Sequence, residues 1–175
     1  MAVRVPVFVV VSGPPGSGKT TTATVLARRL ELPLVAKDTI KDALMSAVPV
    51  ADVDESRLLG RAAVTAMLAV AADSPIGAVL DCNFHRSAAL NDLRRLPGRV
   101  VEVFCRCEQD RAWERFQARA ADRHAGHFDA ARSIDDLYHD DVTEPVAGGW
   151  PVVQLDTNSP VDVDALLASV NSLLR

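Results

Sequence analysis

A glycine-rich turn between an apolar run and a helical pattern constrains the fold of this chain more than any other feature of its sequence. Residues 13–20 are Gly-Pro-Pro-Gly-Ser-Gly-Lys-Thr, which fits the pattern G-x-x-x-x-G-K-[ST] throughout. The β-branched run Val5–Val11 before the turn is typical of a strand buried on both faces, and Gly18–Leu30 after it has the pattern of a helix. This context indicates a phosphate cradle rather than a chance turn that ends in Lys-Thr.

The residue types in this turn suit a nucleoside triphosphate, with ATP as the default. Glycines let the backbone N–H groups point inward, and the following helix presents its positive end to the same anion. We expect Lys19 to reach the β- and γ-phosphates and Thr20 to offer its hydroxyl to Mg²⁺. The predicted nucleotide-binding residues of this segment are Gly13, Pro14, Pro15, Gly16, Ser17, Gly18, Lys19, Thr20 and Thr21.

Strand and helix patterns alternate along the rest of the chain, which predicts parallel β-α-β units in one domain over residues 1–175. We predict an α/β, three-layer P-loop NTPase fold, with a five-stranded, mostly parallel sheet, helices on both faces and a small lid at about residues 121–133. The further predicted strands are Leu34–Ala36, Gly77–Asp81, Arg99–Cys105 and Val152–Leu155. The further predicted helices are Asp38–Ala47, Asp54–Ala72 (capped by Asp52 or Asp54), Ser87–Leu96, Gln109–Ala121, Ile134–Asp141 and Val161–Leu174.

Composition limits the range of partners. The chain has 175 residues, a formal net charge of −4 and 5% aromatic residues. This argues against a nucleic acid partner without excluding one, because such partners need basic and stacking surfaces. The apolar run Val3–Val11 is too short to cross a membrane, and no cleavage site follows it. We therefore expect a cytoplasmic monomer or homodimer without a membrane partner.

Two acidic residues follow predicted strands and are candidates for chemistry. Ligands of an open parallel sheet bind beyond the carboxyl ends of the strands, where Asp38 and Asp81 are expected. Asp38 is placed to accept the proton of an attacking hydroxyl, although it would also suit a helix cap. Asp81 is a candidate carboxylate behind Mg²⁺ or for substrate binding, with Asn83 beside it, and the alternative is a solvated aspartate at a strand end.

Arginines spaced by four residues, Arg115, Arg119 and Arg123, share one face of the predicted helix that leads into the lid. Such side chains can stabilise the charge of a phosphoryl group in transfer, and the alternative is a solvated face. Arg119 and Arg123 are the preferred functional residues. In the lid, His124 and His127 are interpreted mainly as solvated, with a lid contact or substrate hydrogen bond as the alternative and a metal site least favoured.

On these residues the chain resembles small AAA_33-type P-loop kinases related to zeta toxins, chloramphenicol phosphotransferase and polynucleotide 5′-kinases. The resemblance implies that Asp38 is the general base, Lys41 holds the acceptor, Asp81 contacts substrate, and Arg123 or Arg119 covers the phosphates. It also implies that the loop Asp156–Ser159 lies near the adenine, which adds Thr157, Asn158 and Arg115 to the predicted nucleotide-binding set. The chain departs from polynucleotide kinases, which favour Arg where it has Lys37 and Lys41.

The leading hypothesis is phosphorylation of a hydroxyl on a small molecule by ATP-Mg²⁺, with an antibiotic- or nucleoside-like acceptor suggested by the resemblance. The first alternative is a polynucleotide or nucleotide 5′-kinase, which needs a basic channel and salt-dependent binding. The second is a nucleotide-dependent ATPase switch that acts on a protein partner. That hypothesis predicts slow, partner-stimulated hydrolysis that is indifferent to the loss of Asp38.

Overall fold

A five-stranded parallel sheet forms the centre of the protein. The computed structural model describes residues 5–174, and all the strand pairs of its sheet are parallel, in the order β2-β3-β1-β4-β5. The sheet is thus wholly parallel where the sequence predicts one that is mostly so. The strands are β1 (Val7–Ser12), β2 (Leu34–Ala36), β3 (Gly77–Asp81), β4 (Arg99–Arg106) and β5 (Val152–Asp156).

Helices cover both faces of the sheet. Asp52 caps the longest of them, since its Oδ1 accepts from the backbone N–H groups of Asp54 and Glu55. No helix within residues 5–174 combines the length and apolar character that crossing a membrane requires. The helices are α1 (Lys19–Leu30), α2 (Lys37–Ala47), α3 (Val53–Ala72), α4 (Arg86–Leu93), α5 (Gln109–Ala120), α6 (Ile134–Leu137), α7 (Asp140–Thr143) and α8 (Val163–Leu173).

The central strand β1 contributes to two hydrophobic cores. Phe8 and Val10 pack in a cluster with Met67 and other side chains of α3 and α4. Val9 and Val11 pack in a second cluster with side chains of α1 and α8. Because successive side chains of a strand point to opposite faces, an uninterrupted apolar run is what a strand covered on both faces needs. The two clusters give the three layers that the sequence predicts.

One predicted helix is wrong. Instead of a single helix over Ile134–Asp141, the chain forms the short helices α6 and α7, separated at Tyr138 and His139. Tyr138 leaves helical geometry with φ −124° and ψ 76°. The break turns its side chain toward the glycine-rich turn, where it forms a hydrogen bond described below. A local helical pattern is overridden here by a contact with a residue far away in the sequence.

The register of the sheet brings the predicted site residues to one edge. Asp81 is the last residue of β3, paired with Val11 of β1 on one side and Ala36 of β2 on the other. The glycine-rich turn follows β1 immediately, and α2 follows β2 without an intervening loop. The carboxyl ends of these three strands therefore present the turn, the start of α2 and Asp81 side by side.

Candidate active site

The glycine-rich turn depends on backbone geometry that other residues would not adopt. Gly16 has φ +78°, and a Cβ at this position would overlap the carbonyl oxygen of Ala112 in α5. Gly18, at φ +83°, precedes α1 and leaves the helix N-terminus without a side-chain cap. Lys19 Nζ donates to Pro14 O at 2.7 Å, and burial of the ammonium lowers the pKa of Lys19. The turn therefore has the shape of an anion-binding loop, and the Lys19 ammonium is held against it by Pro14 O.

The loop after β5 supports this cradle from behind. The Thr157 hydroxyl lies 2.9 Å from the carbonyl oxygens of both Ser17 and Arg106, and Thr157 is buried. Arg115 donates from both Nη atoms to Thr157 O at 3.2 Å, and Asn158 Oδ1 accepts at 2.9 Å from the backbone N–H of Glu108, the N-cap residue of α5. These contacts fix the backbone of the cradle. The predicted nucleotide contacts of Arg115, Thr157 and Asn158 stay predictions.

A cavity of 740 Å³ opens beyond the carboxyl ends of β1, β2 and β3. Its walls come from the cradle, α2, α3, α5, the lid and the segment around α6 and α7. Polar and charged side chains that lie far apart in the sequence meet here. The predicted site residues among its lining are Pro15, Gly16, Gly18, Lys19, Thr20, Asp38, Lys41, Asp81, Asn83, Arg119 and Arg123.

Asp38 lies in the first turn of α2 but does not cap that helix. The N-cap residue is Ala36, and no side chain bonds to the N-terminal backbone groups. Asp38 Oδ1 accepts from Lys37 Nζ at 2.8 Å, and its Oδ2 accepts from Arg123 Nη2 at 2.9 Å. Desolvation by the surrounding protein would raise the pKa of Asp38, but Lys37 and Arg123 hold it well below its usual range. The rim of the cavity therefore carries an ionised carboxylate between two cations.

Asp81 lies at the donor end of the cavity, beside the cradle. Its side chain is buried, so it is not the solvated aspartate of the alternative interpretation. Burial raises the pKa of Asp81, while the Lys19 ammonium and a hydrogen bond from Thr20 act in the opposite direction. A hydroxyl and a carboxylate next to a phosphate cradle are the oxygen ligands that Mg²⁺ prefers. Thr20 and Asp81 thus fit the predicted magnesium site, and Asn83 lines the same cavity two residues further on.

The two lid arginines occupy different positions. Arg123 is held at the acceptor end, where Nη1 donates to Asp129 Oδ2 at 2.7 Å and Nη2 donates to Asp38. Arg119 bonds through Nε to the carbonyl oxygen of Arg115 at 3.3 Å, and its charge acts on the Asp81 carboxylate. Arg119 thus lines the cavity and favours the ionised form of Asp81, whereas Arg123 is paired with the candidate base.

The predicted lid segment contains two 3₁₀ turns, Ala125–His127 and Asp129–Ala131. His127 is only 4% exposed, and its Nε2 lies 2.6 Å from Asp42 Oδ1 in α2. Its Nδ1 lies 2.9 Å from Arg123 Nη2, which can only donate, so Nδ1 accepts and Nε2 carries the proton. Burial and the charge of Arg123 lower the pKa of His127.

The interpretation of both lid histidines as solvated is consequently wrong for His127, which connects the lid to α2. His124 is exposed, and its Nδ1 accepts from the backbone N–H of Gly126 at 3.1 Å. Within residues 5–174, no group of three or more His, Cys, Asp or Glu side chains is arranged to hold a metal ion. The two histidines therefore have distinct local roles, one in packing the lid and one in capping its first turn.

Lys41 lies one turn of α2 beyond Asp38 and is buried. Its Nζ donates to Ser56 Oγ of α3 at 2.7 Å. Burial of the ammonium, together with the positive charge of Lys37, lowers the pKa of Lys41 to about 8. A lysine with this environment on the wall of a cavity is a candidate ligand-binding group.

Tyr138 is a site residue that the sequence analysis missed. Its hydroxyl donates to Pro15 O of the cradle at 2.6 Å, and burial raises the pKa of Tyr138 to about 12. The phenol therefore stays protonated and keeps this bond at physiological pH. Its ring also meets Trp113 of α5 edge-on, with centroids 6.4 Å apart. A lone tyrosine in a predicted helix gives no signal for a contact of this range.

Glu102 is a second residue that the sequence analysis missed. It lies in the middle of β4 with no exposed surface, and it accepts from the hydroxyl of Ser12 at 2.6 Å. It also accepts from the backbone N–H groups of Val146 and Ala147 and from Trp150 Nε1, at 2.8 to 3.1 Å. The carboxylate thus ties the loop before β5 to the strand that leads into the cradle. An acid inside an otherwise apolar strand is the signal that would have found it.

This strand order, with an anion cradle directly after β1 and a cavity at the carboxyl edge, defines a small P-loop kinase-like fold. The chain belongs to the AAA_33 family of AAA domains, whose model matches residues 8–158. No curated protein matches the sequence at a significant level.

Solved structures of kinases have the same fold. A candidate kinase from Chloroflexus aurantiacus J-10-fl superposes with a TM-score of 0.86 at 26% identity, covering 98% of this chain and 100% of that one. The APS kinase CysC of Mycobacterium tuberculosis, solved with AMPPNP and APS, gives 0.64 at 19% identity and 98% coverage of both chains. Shikimate kinase from Acinetobacter baumannii, solved with shikimate, gives 0.61 at 18% identity, covering 98% of this chain and 93% of that one.

Proposed function

We propose that this protein is an ATP-dependent phosphotransferase that moves the γ-phosphate of ATP to a hydroxyl of a small molecule. The observation that carries the proposal is the position of Asp38, an ionised carboxylate on the wall of the cavity that the phosphate cradle also lines. A switch or motor ATPase needs the cradle but has no need of a carboxylate for an acceptor hydroxyl. The two features together support a kinase.

At the donor end, the cradle and Lys19 bind and orient the triphosphate. Backbone N–H groups of the turn and the N-terminus of α1 complement its negative charge, and Lys19 is held beside them by Pro14 O. Thr20 and Asp81 would hold Mg²⁺, which in such sites neutralises charge on the phosphate oxygens. Arg119, whose charge already acts on Asp81, is the arginine we assign to the transferring phosphoryl group.

At the acceptor end, Asp38 orients the hydroxyl by accepting its hydrogen bond and takes its proton during transfer. Its low pKa makes it a weak base while both Lys37 and Arg123 remain bound to it. Because phosphoryl transfer is largely dissociative, the acceptor hydroxyl needs orientation more than early deprotonation. We assign Arg123 to positioning Asp38, and His127 to holding Arg123 against α2.

The cavity size supports a small-molecule acceptor. Its volume of 740 Å³ is in the range of ordinary ligand pockets, and it must also accept part of the triphosphate. An antibiotic- or nucleoside-like acceptor follows from the resemblance to zeta toxins and chloramphenicol phosphotransferase, and membership of that narrower group is part of the same proposal.

A screen of acceptors tests the proposed function. The purified protein with ATP-Mg²⁺ is given hydroxylated small molecules, nucleosides and 5′-hydroxyl oligonucleotides, and ADP release is measured against the rate without acceptor. We expect release to rise with a small hydroxylated compound and a phosphorylated product to appear in equal amount. Stimulation by oligonucleotides alone, with strong salt dependence, would instead favour the polynucleotide kinase alternative. Acceptor-independent hydrolysis that only a protein partner stimulates would overturn the proposal.

A further inference from the structure

The peptide between Pro15 and Gly16, in the phosphate cradle, is held by a side chain from a distant part of the sequence. The Tyr138 hydroxyl donates to Pro15 O at 2.6 Å, and Tyr138 lies between α6 and α7. The peptide is trans and planar, so its carbonyl and the N–H of Gly16 point in opposite directions. A hydrogen bond that fixes the carbonyl therefore also fixes the direction of this N–H.

The N–H of Gly16 is available to a ligand. Within residues 5–174 it forms no hydrogen bond, although Gly16 is buried and lines the cavity. The N–H of the next residue, Ser17, does have an acceptor, Pro14 O at 3.2 Å. Buried backbone donors are nearly always paired, so a buried donor that the protein leaves unpaired in a phosphate cradle is one that a bound ligand satisfies. A polyphosphate would supply the acceptor and, being anionic, would make the bond charge-assisted.

This peptide needs a contact that selects its orientation. Rotating it by half a turn changes chiefly ψ of Pro15 and φ of Gly16, and glycine accepts φ of either sign. Gly16 has φ +78° in the structure. In the rotated peptide the carbonyl oxygen would replace the N–H on the cradle side and would repel a phosphate. The hydrogen bond from Tyr138 stabilises the orientation that presents the donor, because the rotated carbonyl would be out of its reach.

Two contacts fix the position of Tyr138. Its ring meets Trp113 of α5 edge-on. Three residues further on, Asp141 accepts from the backbone N–H and the hydroxyl of Ser87, both at 2.7 Å, which anchors α7 to α4. The phenol therefore reaches Pro15 O from a preorganised position, and the bond costs little additional side-chain entropy.

We propose that Tyr138 is a positioning residue for the phosphate donor. Its hydroxyl holds the peptide between Pro15 and Gly16 so that the N–H of Gly16 points at the bound polyphosphate. Tyr138 is outside the cavity lining, so it acts through this peptide rather than by touching the ligand. The inference rests on the donor half of the proposed function, a polyphosphate bound in the cradle, and is independent of the acceptor.

Binding of a polyphosphate to matched variants tests this role. Tyr138→Phe removes the hydroxyl and keeps the ring that packs on Trp113. The control is Thr143→Val, which removes a hydroxyl bond to His139 O of 3.2 Å in the same segment, at a residue that does not line the cavity. Tripolyphosphate and a non-hydrolysable ATP analogue, each with Mg²⁺, are titrated calorimetrically into the three proteins. Denaturant titration without ligand gives their unfolding midpoints.

We expect both ligands to bind Tyr138→Phe about tenfold more weakly than wild type, since a charge-assisted hydrogen bond is no longer oriented. The affinity of Thr143→Val should be unchanged. Both variants lose one hydroxyl bond to a carbonyl, so their unfolding midpoints should shift alike while only Tyr138→Phe loses affinity. Unchanged tripolyphosphate affinity in Tyr138→Phe, an equal loss of affinity in both variants, or no binding to wild type would overturn the inference.

A second measurement does not depend on the folding of a variant. In wild-type protein with isotope-labelled glycine, observed by NMR, the amide proton of Gly16 should move downfield when tripolyphosphate binds, because it gains an acceptor. Absence of this shift would overturn the inference. Weaker polyphosphate binding by Tyr138→Phe, with no acceptor-dependent ADP release in the screen of acceptors, would support the role of Tyr138 while contradicting the proposed function.

Discussion

The Nη2 atom of Arg123 lies 2.9 Å from Oδ2 of Asp38, so a cation from the predicted lid is paired with the candidate base. The same guanidinium bonds to Asp129 and contacts His127, which in turn reaches Asp42 of α2. The position of Asp38 is thus set jointly by its own helix and by the lid. Arg123 and Arg119 are equivalent candidates in the sequence, but their different contacts predict different effects of replacing them.

Arg123→Gln is expected to move the acid limb of the pH–rate profile. Without this cation the pKa of Asp38 rises, so the carboxylate is protonated at a higher pH and activity is lost earlier as the pH falls. Arg119→Gln is expected to lower kcat without moving that limb, because Arg119 acts at the donor end. The measurements are kcat and kcat/KM against pH for both variants. Identical acid limbs in wild type and Arg123→Gln would contradict the positioning role.

The lowered pKa of Lys41 predicts that anion binding in the cavity depends on pH. Its pKa of about 8 means that it is charged below that pH and becomes neutral as the pH rises through it. The affinity for sulfate, whose own charge is constant in this range, should therefore fall across pH 8. Lys41→Met should bind sulfate weakly and lose most of this dependence. Sulfate titrations below and above pH 8, on wild type and on Lys41→Met, measure both the affinity and its pH dependence. An unchanged pH dependence in Lys41→Met would show that Lys41 is not the group that binds the anion.

Glu102→Ala is expected to destabilise the fold by roughly 3 kcal/mol, because it leaves the buried donors of Ser12 and Val146 without their acceptor. The partly buried donors of Ala147 and Trp150 lose the same acceptor. The free energy of unfolding from denaturant titration measures the effect. Glu114→Ala, at an exposed position of α5, is the matched control and should stay within about 0.5 kcal/mol of wild type. A loss for Glu102→Ala no larger than that of the control would disprove the role of Glu102.

The donor half of the site could be predicted from the sequence because its determinants are local. A β-branched run, glycines at fixed spacing and a following helix specify the cradle within about 25 consecutive residues. Asp38 and Asp81 were also predictable, since residues after parallel strands share one edge of the sheet. The structure was needed to exclude Asp38 as a helix cap. It shows that α2 begins at Lys37, one residue before the predicted start, with Ala36 as the N-cap residue.

The lid and its connections could not be predicted, because they depend on contacts between distant segments. His127 is buried by packing against α2, more than 80 residues away in sequence, as its bond to Asp42 shows. The break between α6 and α7 likewise follows from the bond between Tyr138 and Pro15, 123 residues apart. Local patterns describe neither contact. Glu102 differs from these residues, because an acidic residue that interrupts the apolar run of β4 is visible in the sequence and indicates a buried polar contact.

The most direct test of the account compares Asp38→Asn with Asp92→Asn, a carboxylate that lines the same cavity but has no assigned role. Acceptor-dependent ADP release and the Kd for ATP are measured for both. We predict that Asp38→Asn lowers transfer roughly a thousandfold and leaves the Kd for ATP within about twofold of wild type, while Asp92→Asn changes neither. Near-normal transfer by Asp38→Asn, or a loss of ATP binding with normal transfer by the fraction that still binds, would contradict the account.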